Sequence, residues 1–394
     1  MADKTKDIWN DNDEEETPEK RSRLRRFLLL ALILVVVLGV VLVAAYRDGT
    51  GFDALHRLFS YGGTEGESGE FTYTYEPSNS NRFALLGDSL VVLSDTELEV
   101  LDRSGQTVWS TPVKMTSPAL ATGGGCAVAY DVGGTELYVV DAGGERLSLR
   151  AEEGYPFISA RLNSEGWLAV TAEKKNYKGS VSVYNDQMEH VFDFNSSERF
   201  VIDAYVTDNH AELAAVTLGQ EESVFVSNIV LYELDKEDPV ADYDVSDGLV
   251  MEIGQDGNTL LTVSDTALTC ADTTGEVKAS YSYGESYLRE YDLGGDGFTA
   301  LLLNRYKAGS VGRLVTVDTD GEEIASLDVN KEILGISAAG RYLAVLYTDS
   351  VVIYNEHLEE YASQTGTDYA REILMRTDGS ALLLATENAR LFLP

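Results

Sequence analysis

The sequence predicts an all-β fold built from repeated four-stranded units behind one apolar helix. Three observations predict it. A turn of the form Asp-x-x-Gly-Glu recurs along the chain; β-rich runs flank the copies; and a stretch of twenty residues without charge, FLLLALILVVVLGVVLVAAY, stands at 27–46.

The leader, residues 1–26, carries eight acids and seven bases, with Asp11, Asp13, Glu14, Glu15 and Glu16 followed by Pro18. That is the composition of a disordered tail. The apolar run that follows, at ~1.5 Å rise per residue, covers the roughly 30 Å hydrocarbon core of a bilayer. Lys20, Arg21, Arg23, Arg25 and Arg26 precede it and only Arg47 follows closely. The positive-inside rule then expects a cytoplasmic N-terminus and an extracytoplasmic remainder, a single-pass protein of the cell membrane. A cleaved signal peptide is the competing reading, with Val43-Ala44-Ala45 as its site. Leader and apolar run are both longer than such a signal uses. Residues 47–70 read as a juxtamembrane segment and linker. Phe52, Leu55, Leu58 and Phe59 fall at helical spacing, and GGTEGESGE (62–70) is a flexible acidic spacer.

Residues 71–394 hold the repeat. The turn appears as LDRSGQTV (101–108), VDAGGERL (140–147), ADTTGEVK (271–278) and VDTDGEEI (317–324), with looser copies YNDQMEHV (184–191) and YNEHLEEY (354–361). Aligned on Asp102, Asp141, Asn185, Asp235, Asp272, Asp318 and Asn355, the gaps average about 42 residues, the length of one four-stranded propeller blade. In each turn the Asp side chain accepts backbone N–H bonds and the Gly supplies a positive φ. Met188 and Leu358 replace that Gly in two copies, so those turns are expected to use another geometry. Seven turn-bearing units are followed by three more strands, and FTYTYE (71–76) supplies the missing fourth. The expectation is an eight-bladed β-propeller closed by joining both ends in one blade, with seven blades as the alternative.

The blades resemble those of WD40-like and quinoprotein-like propellers, without the G-H and W-D pairs of the former or the tryptophan docking motifs of the latter. The layout of acidic leader, basic cluster, anchor, glycine spacer and propeller resembles an uncharacterised family of single-pass proteins from Gram-positive clostridia. That resemblance implies no known activity.

Charge limits the partners. The chain has 66 acids and 30 bases, a net −36, and 58 acids against 23 bases lie beyond the leader. A body so acidic repels nucleic acid and anionic bilayers. Cys126 and Cys270, alone and far apart, are expected as buried free thiols. His56, His190, His210 and His357 show no metal or triad spacing, no G-x-S-x-G occurs, and no cofactor is expected. Asp318-Thr319-Asp320 hints at calcium but falls on the repeated turn. Asn195-Ser196-Ser197 is a glycosylation pattern. The tyrosines of YSYGESYLREY (281–291) are expected to pack.

One pattern carries chemistry. In FVID (200–203), LVME (249–252), YLRE (287–290) and YARE (369–372), an aromatic or Leu precedes an acid by three residues, at gaps of one or two blades. Equivalent positions on innermost strands would set Asp203, Glu252, Glu290 and Glu372 around the channel mouth, with Arg161, Arg289 and Arg371 as neighbouring bases. Such a ring binds a divalent cation such as calcium or a basic segment, or raises its own pKa values. The same spacing arises when an acidic domain sets carboxylates along a solvated rim. The expected function is a non-enzymatic scaffold or sensor that binds a protein partner in the envelope. The alternative is a protein that binds or cleaves carbohydrate with the channel-mouth acids.

Overall fold

The computed structural model describes residues 72–394 except 222, 223, 237, 246 and 247, together with positions 29, 30, 32–34, 36, 37, 39, 53 and 57, which are helical. The leader, most of the apolar run and most of the linker lie outside the described residues. No helix among the described residues is long and apolar enough to cross a membrane. The chain divides into two compact units, Met1–Gly63 and Thr64–Pro394, and the strands among the described residues all fall in the second.

Strand β1 (Thr72–Thr74) comes first in the chain but belongs to the last sheet. Blade one is β2 (Arg82–Leu86), β3 (Ser89–Leu93), β4 (Glu97–Leu101) and β5 (Thr107–Pro112). Blade two is β6 (Pro118–Gly123), β7 (Cys126–Asp131), β8 (Glu136–Asp141) and β9 (Gly144–Arg150). Blade three is β10 (Phe157–Leu162), β11 (Leu168–Ala172), β12 (Gly179–Tyr184) and β13 (His190–Ser196). Blade four is β14 (Phe200–Val206), β15 (Glu212–Glu221), β16 (Val224–Glu233) and β17 (Ala241–Val245). Blade five is β18 (Val250–Asp256), β19 (Thr259–Ser264), β20 (Ala267–Asp272) and β21 (Val277–Ser282). Blade six is β22 (Tyr287–Asp292), β23 (Phe298–Asn304), β24 (Gly312–Asp318) and β25 (Glu323–Val329). Blade seven is β26 (Ile333–Ala339), β27 (Tyr342–Tyr347), β28 (Ser350–Asn355) and β29 (Glu360–Thr365). Blade eight is β30 (Glu372–Met375), β31 (Ala381–Leu384) and β32 (Asn388–Phe392), completed by β1.

All eight sheets are four-stranded and antiparallel, so the eight-bladed expectation holds and the seven-bladed alternative does not. Thr72 pairs with Arg390 and Thr74 with Asn388, which makes FTYTYE the outer strand of the last blade. Tyr73 Oη donates to the Asp88 carbonyl at 2.9 Å, and Arg376 meets the Asp88 carboxylate at 3.3 Å. Blade eight is thereby fastened to blade one, and the ring closes.

Apolar clusters fill the spaces between successive blades. The second strand of each blade is covered on both faces, so β3, β7, β19, β23 and β27 are buried throughout and read as continuous apolar runs. Fully burying each such Leu or Val contributes roughly 1.5–3 kcal/mol. Outer strands such as β5, β21 and β29 instead alternate exposed with half-buried residues. Cys126 and Cys270 are free and buried, as expected.

The repeated turn behaves as its chemistry requires. Asp102 Oδ1 accepts the Ser104 and Gln106 N–H groups at 2.8 and 3.0 Å, and Gly105 takes φ +76°. Asp318 does the same for Asp320 and Glu322, so its carboxylate shapes a turn. The expectation for Met188 and Leu358 is corrected: they adopt φ +63° and +56°, and their N–H groups close the same turn on Asn185 and Asn355 at 2.9 Å. Packing of both side chains into the cores of their blades offsets the positive φ. Blade four also differs. Its hairpin closes from Lys236 N to Glu233 O at 3.0 Å, so Glu233 and not Asp235 heads that turn. A longer loop there returns the chain, with Val240 N bonded back to Leu231 O at 2.8 Å.

Antiparallel order gives the disc two faces. The turns joining first to second and third to fourth strands share one, the turn face. The second-to-third connections and the links between blades share the other, the loop face.

Candidate functional site

The four predicted acids do occupy one register position on the innermost strands. Asp203 pairs across from Val216, Glu252 from Val263, Glu290 from Leu302 and Glu372 from Leu384. A β-bulge just before the acid sets the position in blades four to six, skipping Ile202, Met251 and Arg289. The same bulge puts Ser159 and Gly335 at the equivalent place in blades three and seven, and Arg82 holds the corresponding pairing in blade one, opposite Leu93.

The ring is split in two. On one side Arg161, from β10, donates through Nε to Asp203 Oδ2 at 3.0 Å and through Nη1 to Glu252 Oε1. Ser159 Oγ donates to Asp203 Oδ1 at 2.6 Å, and Tyr291 hydrogen-bonds to Glu252. Burial works against the Arg161 charge, but Asp203 and Glu252 override it and hold the guanidinium protonated well above its ordinary range. These groups form an ion-paired lattice across blades three to six in which one guanidinium bridges two carboxylates.

On the other side the carboxyls serve the backbone. An innermost strand has one unpaired edge, whose N–H groups need acceptors. Glu290 Oε1 accepts the Ile336 N–H at 3.0 Å, and Asp292 Oδ2 accepts the Ala338 N–H at 3.0 Å, so β22 caps the open edge of β26. Ser337 Oγ accepts the Met375 N–H at 3.0 Å in the next blade. Glu290, Asp292 and Glu372 line a pocket of about 390 Å³ with Ser337 and Arg371. Burial raises all three carboxyls. Glu290 rises against the Ile336 N–H bond and the Arg289 charge, and Asp292 reaches about 6. Glu372 reaches about 7, with Arg82 opposing the rise and Glu290 adding to it.

Of the predicted bases, only Arg161 is brought into ion pairs with the ring. Arg289 donates to the Ile333 carbonyl at 3.1 Å, and Arg371 to the Asp368 and Ala370 carbonyls at 3.2 and 3.3 Å. Arg289 is the residue its bulge skips, whereas Arg371 directly precedes β30 and lines the pocket beside Glu372. Among the described residues no group of three or more His, Cys, Asp or Glu is placed to hold a metal ion. Asp292 and Ser159 were missed in sequence. The period-2 alternation from Glu290 signals the first; only the bulge reveals the second.

A second feature emerges on the loop face. The same bulge that sends the acid inward turns the head of the motif outward, leaving Phe200 54%, Leu249 47% and Tyr287 42% exposed. Met251, Phe225 and Tyr306 join them at 51%, 61% and 61%. Of the five exposed aromatic side chains among the described residues, Phe200 and Phe225 stand on blade four and Tyr287 and Tyr306 on blade six of this face, and Tyr177 stands on blade three. Bases stand over the rings: Lys178 over Phe200, Lys307 over Tyr287 and Arg305 over Tyr306, at 5.4, 5.5 and 6.0 Å. Packing was expected for the 281–291 tyrosines. It holds for Tyr283, which is 3% exposed, and fails for Tyr287.

Fold and site together define an eight-bladed β-propeller with a closed ring, a carboxyl-rich channel and one apolar, base-studded face. The model of a family of unknown function, DUF5711, matches residues 65–390, and the chain belongs to that family. No curated protein matches. Among solved structures, the computationally designed Ika8 protein aligns with a TM-score of 0.60 at 13% identity, covering 83% of this chain and 100% of that one. The C-terminal WD40 domain of Sif2 aligns at 0.57 and 13%, covering 84% and 100%. BamB from Moraxella catarrhalis aligns at 0.51 and 12%, covering 83% and 98%. These likenesses are of fold alone, and they agree with the WD40-like blade style.

Proposed function

We propose that the protein is a membrane-anchored, extracytoplasmic propeller that binds a protein partner in the cell envelope through the loop face of blades four to six. One observation carries this reading: Phe200, Phe225, Met251 and Tyr306 are each more than half exposed on one face of a chain whose other large apolar side chains are mostly buried in the propeller. Contiguous exposed apolar side chains mark interaction surfaces, and aromatic residues with Arg are the usual anchors. The anchor itself rests on the apolar run at 27–46 and the bases before it.

The face is tested by placing a photo-reactive residue at Phe225 or Tyr306 in the full chain, with Val277 on an outer strand as control. A discrete protein adduct from the first two positions and none from the third is expected. Equal adducts from all three positions, or none at all, would count against a binding face.

A second reading keeps a ligand in the channel, favoured by the pocket between Glu290 and Glu372. A carbohydrate or a cation is its ligand class. It ranks lower because Glu290 and Asp292 already accept backbone N–H bonds. Titrating the purified chain with calcium and with soluble glycans, and finding no saturable response, would remove it.

A further inference from the structure

The wall of the channel pocket has a gap that the fold does not require. On the innermost strands the bulge places Ser159, Asp203, Glu252 and Glu290 at the ring position in blades three to six, and Gly335 in blade seven. The bulge itself therefore accepts side chains. Gly335 does not take a positive φ. A Cβ on it would meet nothing closer than Glu290 Oε1 at 3.7 Å and Ile373 Cγ2 at 4.0 Å, both ordinary contacts. Neither backbone nor packing calls for glycine here, and glycine inside a strand weakens it. Such a glycine marks a place that a ligand approaches closely. The cavity of about 390 Å³ opens at that place, within the roughly 300–1,000 Å³ of small-molecule sites.

The lining offers hydrogen-bonding groups that the protein leaves unused. Asp292 is committed to the Gly294 and Ala338 N–H groups at 2.7 and 3.0 Å. Glu290 gives Oε1 to the Ile336 N–H, and no described residue donates to its Oε2. Glu372 accepts no hydrogen bond from any described residue. Ser337 Oγ accepts the Met375 N–H and has its own O–H to give. Leu334 and Leu374, both half-buried, supply an apolar strip. Carboxyl acceptors, guanidinium and hydroxyl donors and a strip of hydrocarbon together suit a ring with hydroxyls at its edge and C–H groups on its faces.

Charge narrows the ligand further. Arg371 lines the cavity, and Arg289 and Arg82 act on Glu290 and Glu372. Glu252, which acts on Asp292, is itself bridged by Arg161. Lys331, Glu332 and Asp368 stand in the neighbouring links, outside the lining. Burial raises the three lining carboxyls, Asp292 to about 6 and Glu372 to about 7, so protons replace part of their charge. A cation gains little from such a wall, and an anion meets the carboxyls.

Resting on the channel reading above, we propose that this cavity binds one neutral sugar unit. Adjacent hydroxyls of that unit donate to Glu372 and to Glu290 Oε2 across the gap at Gly335, and Arg371 and Ser337 donate back to its oxygens.

The test uses the full chain in a detergent without sugar headgroups. It is titrated by calorimetry or saturation-transfer NMR with the methyl glycosides of glucose, galactose, mannose and N-acetylglucosamine. Glucosamine, glucuronate and calcium are the charged comparison probes. Saturable binding of a neutral glycoside in preference to the charged probes is expected. It should be abolished by Gly335→Leu, which fills the gap, and reduced about tenfold by Glu372→Gln, which removes a carboxylate acceptor. Lys278→Glu, on an outer strand, should change nothing. Absence of saturable binding by any neutral glycoside, stronger binding of glucosamine, or full binding in folded Gly335→Leu overturns the proposal. If Gly335→Leu fails to fold, unchanged affinity in Glu372→Gln overturns it instead. Saturable calcium or glucosamine binding without any neutral sugar would leave the channel reading standing and sink this one, whereas silence from every probe removes both.

Discussion

At the residue scale, one arginine decides what the channel acids do. Arg161 bridges Asp203 and Glu252, and its removal leaves two partly desolvated carboxylates facing each other. Arg161→Met should therefore lower stability by about 3 kcal/mol in urea unfolding, with recovery when Asp203→Asn and Glu252→Gln are added. Failure of the triple variant to recover would contradict the ion-pair account. The opposite half of the ring responds to pH. Glu372 is raised to about 7 and Asp292 to about 6, so the folded state holds protons that the unfolded chain has released. Their contribution is fully present below about pH 4 and is lost as pH rises to about 7, on the order of 3 kcal/mol for Glu372. Surface acids such as Asp102 and Asp272, lowered first by hydroxyl hydrogen bonds, work in the opposite sense. The decisive quantity is thus the difference between wild type and Glu372→Gln. The variant should gain on wild type between pH 5 and pH 7.5; a constant difference rejects the assignment.

At the element scale, turns and bulges specify the blade. Where blades two and three meet, Gly123 and Gly124 lie against Asn163 and Gly166. A Cβ on Gly124 would stand 2.1 Å from the Gly166 backbone nitrogen, and its φ is +55°. Gly124→Ala should cost roughly 2–4 kcal/mol in thermal or urea unfolding, whereas Gly257→Ala, positive in φ but with open space around it, should cost about 1. Equal costs would show that the close approach between blades does not matter. The period, the turn and the closing strand were legible in sequence because Asp, Gly and alternating apolar residues each have a local physical reason to recur. The shifted turn at Glu233 was not legible, since nothing local separates it from Asp235. The geometry at Met188 and Leu358 was equally hidden, because tertiary packing there overrides the preference for glycine. For the site, spacing located the acids but could not show the bulge. That bulge sends Asp203, Glu252 and Glu290 inward while exposing Phe200, Leu249 and Tyr287.

At the scale of the whole molecule, closure makes the propeller a rigid support with two unlike faces. The strand β1 begins at the turn face, since it runs antiparallel to β32 and leads up to β2. Thr72 thus enters the propeller on the side opposite the exposed aromatic residues. The most direct measurement labels single-cysteine reporters in intact cells with a membrane-impermeant maleimide. The native thiols are buried and stay silent. Lys278→Cys, exposed near the turn face, should react at once from outside, while Tyr306→Cys should react slowly in cells and rapidly in the purified chain, because a partner covers it. Failure of both reporters to react from outside, or equal rates in cells, would contradict the account.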